Sequence, residues 1–126
     1  MKHVLIIALI FVAGCSTQPI KNDLTAKGNL GSVKKMERAI FEAMKPLWRG
    51  KLHKKGHIIA SRSQRNYVSI SQASHRAQVD IYFDANSYRI KYKNSSYLKY
   101  DGENIHKRYN EWVTQLHFAI SSYIRD

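Results

Sequence analysis

One cysteine, Cys15, stands in a chain of 126 residues, so no intrachain disulfide can form and the fold rests on apolar burial alone. Carboxylates are scarce too: nine Asp and Glu against twenty-one Lys and Arg, for a formal charge of +12 at pH 7. A paired-carboxylate site would have to draw two of those nine together; Asp101 and Glu103 are neighbours, but in a stretch with the composition of a solvated turn. No nucleophile-elbow G-x-S-x-G, no H-E-x-x-H and no phosphate-cradling glycine loop occurs. The six histidines lack metal-site spacing. His53 and His57 are interrupted by Gly56 and two lysines that repel a cation. His106 and His117 lie about 16 Å apart along a helix at 1.5 Å per residue. With a single cysteine and no carboxylate cluster flanking any histidine, neither a metal nor a cofactor is expected, and the composition points away from an enzyme. Nor does any apolar run approach the roughly 20 residues needed to span a bilayer.

What is present begins with Lys2, then the apolar run Val4–Val12, then Ala13 and Gly14 before Cys15. This is the charged, apolar, small-residue layout of an export signal. A buried core helix would show a polar face, and this run has none. The residues VAGC (12–15) resemble the lipobox of bacterial lipoproteins. That resemblance implies removal of residues 1–14 as a signal peptide, a diacylglycerol on the Cys15 sulfur and acylation of the new amino terminus. Ser16 in place of aspartate implies the outer membrane, with the facing side open. Three acyl chains hold a protein at a membrane stably where one does not. Residues 15–31, polar with one Pro and two Gly, read as a tether with a reach of about 50 Å at roughly 3.3 Å per residue. Residues 32–126 then form a single domain.

Within that domain the apolar period changes twice. Val33, Met36, Ile40, Ala43, Met44 and Leu47 recur at three and four and predict a helix capped by Ser32 and ending near Lys45, ahead of Pro46. Arg49–Gly56 is a basic connector with room for a short strand. Period-two segments follow at 57–61, 66–71, 77–83 and 88–94, with residues 62–65 as a connection and 97–100 as a short edge strand. The best-specified unit is the hairpin 77–94. A turn on Ala85–Asn86 pairs Phe83 with Tyr88, Tyr82 with Arg89 and Asp80 with Lys91, and a one-residue slip destroys every match. Asp101-Gly102 makes a turn, and Asn104 caps a closing helix over 105–124, whose apolar face holds Ile105, Tyr109, Trp112, Val113, Leu116, Ile120, Tyr123 and Ile124. The expectation is an α+β fold: an antiparallel sheet of three to four strands with amino- and carboxy-terminal helices on one face.

Residues 94–116 carry the pattern S-x-x-L-x-Y-D followed by I-H-x-x-Y-N-x-W. With the lipobox it resembles a group of small bacterial lipoproteins without an established activity, so the resemblance bears on architecture and leaves function open. Tyr100, Asp101, His106, Tyr109, Asn110 and Trp112 read as a structural lock between sheet and helix rather than a ligand site.

Basic charge is the remaining functional signal. An exported chain seldom meets nucleic acid, so none is expected as partner; an acidic envelope protein, anionic lipid or anionic glycan fits better. The sheet face opposite the helices would carry Arg76, Arg89, Lys91 and Lys93 against Asp80 alone, with Tyr82 nearby, and these are the candidate contact residues. The leading expectation is an acyl-anchored, non-enzymatic binding or accessory module. The alternatives are an assembly component whose charge is incidental and, behind it, an enzyme on envelope polymers.

Overall fold

In the structure, a computed structural model, residues 17–65 and 74–125 are described. The elements run β1 (Thr17–Pro19), β2 (Leu24–Lys27), α1 (Val33–Met44), β3 (Arg49–Lys54), β4 (His57–Arg65), β5 (Ser74–Phe83), β6 (Ser87–Ser96), β7 (Asn104–His106) and α2 (Lys107–Ile124). The architecture is α+β, with more strands than the sequence predicts. A five-stranded antiparallel sheet has the order β2-β6-β5-β4-β3, and β1 and β7 form a separate two-stranded ribbon.

The alternation of β5 and β6 builds the centre of the sheet. Phe83 pairs with Tyr88, Tyr82 with Arg89 and Asp80 with Lys91, as the hairpin pattern requires. The Asp84 carboxylate fixes the turn by accepting hydrogen bonds from the Asn86 and Ser87 amides at 2.8 and 2.9 Å, and these donors hold its pKa below the ordinary value. Inward residues Ile58, Ala60, Ala77, Val79, Ile81, Phe83, Tyr88 and Ile90 are buried in one cluster with Met36, Ile40 and Met44 of α1 and Tyr109, Trp112, Val113, Leu116 and Ile120 of α2. Both helices therefore cover one side of the sheet, where the chain removes most of its apolar area from water.

Local chemistry sets the helix ends. The Ser32 hydroxyl accepts from the Lys35 amide, and Lys45, ahead of Pro46, is extended and ends α1. Leu47 falls beyond that end and is exposed rather than on the apolar stripe. At α2 the cap is His106, not Asn104: its Nδ1 accepts from the Arg108 amide. Ile105, expected in the helix, is buried from β7, while Tyr123 lies on the exposed side of α2.

Three further expectations change. Residues 62–65 continue β4 rather than connecting strands, with Arg62 opposite Ala77 and Ser63 opposite Arg76; the strand expected at 66–71 lies outside the described residues. Residues 97–100 form no strand, because Tyr97 and Lys99 take positive φ angles of 58° and 54° around buried Leu98. Most consequentially, the stretch read as a tether supplies β1 and β2, which pair with β7 and β6.

Candidate functional site

The side of the sheet away from the helices is uncovered by any described element, and the register arranges its side chains in rows. One row runs Lys51, Ile59, Asp80, Lys91; a second runs Lys54, His57, Tyr82, Arg89, Thr25; a third runs Arg49, Ser61, Gln78, Asn94. Arg76 stands between Ser63 and Ser96. Lys93 breaks the expected series. It is the extra residue of a bulge at Gln78/Val79, where the Cα partner of Gln78 is Asn94, and Asn94 Nδ2 donates to Gln78 Oε1 at 2.9 Å. Arg76 and Lys93 are exposed and Lys91 is half-buried. Among the described residues, no carboxylate lies within ion-pair distance of Arg76, Lys91, Lys93 or Lys51.

Two of the expected cross-strand pairs are replaced by partners the sequence hid. Arg89 faces Tyr82 in register, but its guanidinium donates in a fork to Asp23, at 2.9 and 3.1 Å to the two oxygens. The fork lowers the Asp23 pKa and raises that of Arg89. Arg89 is thus already matched, and Asp80 is not the sole acid on this side. Asp80 in turn lies 2.8 Å from His57 Nε2 rather than in an ion pair with Lys91. The His57 ring stacks on Tyr82 at 4.4 Å between centroids, and His53 meets His57 edge-on at 4.9 Å. The result is a small aromatic platform, His53–His57–Tyr82, bordered by Lys51, Lys54 and Lys91. Period two in 57–61 marks His57 as outward-facing, which is the signal that could have found it; Asp23, distant in sequence, left none.

The residues read as a lock are joined, though in a different way from sheet-to-helix bonding alone. Buried Asn110 ties α2 to the amino-terminal segment: its Oδ1 accepts from the Lys21 amide at 2.8 Å, and its Nδ2 donates to Gln18 Oε1 and to the Pro19 carbonyl. The His106 amide donates to the Leu98 carbonyl at 2.7 Å. The Asp101 carboxylate accepts from the Glu103 and Asn104 amides, which holds its pKa low. Tyr92 links Tyr100 to buried Tyr109 through ring contacts at 4.4 and 5.5 Å. Trp112 meets Trp48 edge-on at 6.5 Å, and the Arg62 guanidinium lies over its ring at 4.7 Å. These contacts place Asn110 and His106 at a three-way junction of ribbon, loop and helix.

Among the described residues there is no group of three or more metal-ligating side chains, and no helix is long and apolar enough to cross a membrane. Cys15 lies outside the described residues. No protein-family model matches the chain, and no curated protein matches it.

Proposed function

We propose that the chain is an envelope lipoprotein of the outer membrane, anchored through acyl chains on Cys15, and that its open basic sheet face is a non-enzymatic contact surface for an anionic partner. The observation that carries this reading is the unmatched charge. Lys51, Arg76 and Lys91 share one uncovered face, with exposed Lys93 at its bulge, and none has a described carboxylate partner, while Arg89 on the same face is tied to Asp23 by two hydrogen bonds. Clustered charge of one sign costs self-repulsion, and an anionic surface removes that cost on contact. Relative to the sequence reading, Arg89 moves from contact residue to framework, and Lys51 joins the contact set.

The test is in-cell photocrosslinking from position 91, with adducts identified by mass. A discrete adduct that disappears with Lys51→Glu/Arg76→Glu, and that the unreversed protein also loses in high salt, supports contact through charge. Retention of the same adduct in the charge-reversed protein overturns it. Anchoring is tested separately: Cys15→Ser should accumulate as an unprocessed precursor without lipid. Maturation of that variant to the wild-type membrane-bound form would overturn the lipoprotein reading.

A further inference from the structure

The anchor and the fold are nearly contiguous. A single residue, Ser16, separates Cys15 from Thr17, so the two steps between them reach at most about 7 Å at roughly 3.3–3.6 Å per residue. Thr17 is held within the domain: β1 pairs with β7, Thr17 opposite His106, and Asn110 fastens Gln18, Pro19 and Lys21 from the side. A domain tied so close to its acyl chains must rest one particular end on the bilayer, namely the end around Thr17.

That end has the chemistry of a lipid-headgroup contact. His106, opposite Thr17, starts α2 and is followed by exposed Lys107 and then Arg108, whose guanidinium lies 3.1 Å from His75 Nδ1. The His75 and His106 rings are 5.0 Å apart. Burial lowers the pKa of both, and the charges of Arg108 and Lys99 lower both further; Lys107 acts on His106 in the same sense, and Glu111 is the one nearby group that opposes it. Beside His106 runs the loop that pins Leu98 inward and turns Tyr97 and Lys99 outward, both at positive φ, with Tyr97 67% exposed. A left-handed backbone at two non-glycine residues is an uncommon arrangement, and here it places an aromatic ring and an ammonium group at the surface. The acidic turn Asp101–Glu103 sits at the other end of the ribbon, where Ile20, not Thr17, bonds the Glu103 carbonyl.

We infer that the domain docks directly on the bilayer through this end, with Lys99, Lys107 and Arg108 against anionic phospholipid headgroups and Tyr97 at headgroup depth. The inference rests on acylation of Cys15. Polybasic surfaces held near an anionic leaflet are attracted to it, and tyrosine suits the boundary between apolar and wet layers. β5 starts and β6 ends at this side, so both strands lead away from the bilayer, and the basic sheet face is left beside the membrane, free for its own partner.

The test uses the mature lipidated protein, extracted and reconstituted in vesicles of phosphatidylcholine alone or with about one-third phosphatidylglycerol. Acylation occupies the Cys15 sulfur, so Tyr97→Cys, Lys107→Cys or Tyr82→Cys provides the one free thiol for an environment-sensitive fluorophore. Tyr82 lies about 23 Å along β5 from His75 at roughly 3.3 Å per residue and is the distal reference. Labels at 97 and 107 should shift to the blue and lose at least half of their quenching by aqueous iodide in the anionic vesicles, while the label at 82 does not change. Lys99→Glu/Lys107→Glu should abolish the response at 97. Labels at 97 and 107 that remain aqueous on protein that co-floats with the vesicles would overturn docking while leaving anchoring intact, as would an equal response at 82. Protein that carries no diacylglycerol by mass and does not float would overturn the anchoring and the docking with it.

Discussion

The β5–β6 hairpin and the segment 17–27 are both β structure in the same domain, and they are held in opposite ways. In the hairpin, side chains carry the structure: Val79, Ile81, Phe83, Tyr88 and Ile90 alternate inward and are buried. In the amino-terminal segment the side chains carry little, since β1 has no buried residue and β2 is half-buried at best. Its stability comes from backbone pairing, from the partly buried Ile20, Leu24 and Ala26 at the edge of the core, from two side chains far along the chain and from one of its own. Asn110 and Arg89 serve β1 and the start of β2, and the Asn22 side chain accepts from the Tyr92 amide at 2.9 Å. A strand of the first kind announces itself by period; a strand of the second kind depends on partners 66 to 92 residues away.

The difference predicts a hierarchy of effects. Ile81→Ala, at the centre of the sheet and fully buried, should cost about 2–5 kcal/mol, read as a lower urea midpoint with the whole domain unfolding together. A loss under 1 kcal/mol would mean that the sheet centre is not the cooperative core.

Asn110→Ala should cost less, about 1–3 kcal/mol, because it leaves the Lys21 amide without its partner and removes two further bonds to β1. Its signature is location. Hydrogen exchange should accelerate at residues 17–21 while amides of β5 and β6 keep their protection, since segments held by few apolar contacts open first. Uniform acceleration across the sheet would show that β1 is integral to the core and would erase the distinction between the two regions.

This contrast also explains how far the sequence can be read. The hairpin register was legible because apolar alternation and opposite-charge pairing agree only in one register. The Ser32 cap and the stop before Pro46 were legible because each is a local steric or hydrogen-bonding rule. The strands in 17–27 were not, because their polar composition is that of a linker and only the folded chain supplies Asn110 and Arg89. The same cause misled the reading of the basic face. The row Arg89, Lys91, Lys93 was correct to one bulge, but Asp23 comes from a segment that local pattern assigns to no element. At α2 the error was chemical: an imidazole at His106 does the capping that Asn104 was expected to do, with Asn104 instead paired in β7.

Acidification should act on both regions. His117 joins the hairpin to α2, its Nδ1 2.8 Å from the Tyr88 hydroxyl, while His75 and His106 sit by the ribbon. Burial lowers the pKa of all three below the ordinary 6.5. As pH falls through about 6.5 the unfolded chain takes up protons that the folded one refuses, so stability should be constant above that value and decline below it. The thermal midpoint should fall between pH 7.5 and 5.5, with a flatter slope in His117→Gln. A midpoint that rose over this interval would mean that these imidazoles are charged in the fold.

The smallest effect should belong to Arg89→Gln. The Asp23–Arg89 fork joins the two regions, but both groups are solvent-exposed, where a pair of charges adds little to stability. The thermal midpoint at neutral pH should therefore barely move. The sensitive reading is the Asp23 carboxyl itself. Arg89 depresses its pKa, so the pair's contribution is present above the ordinary carboxylate range and disappears as pH falls through the lowered value. In Arg89→Gln, the Asp23 side-chain resonance should titrate at higher pH than in wild type, back toward 3.8, and exchange at residues 24–27 should quicken only slightly. If the titration moved and the exchange of β2 collapsed as well, the fork rather than backbone pairing with β6 would be what holds that edge strand. The amino-terminal segment would then depend on side chains after all, though on charged ones that leave no period.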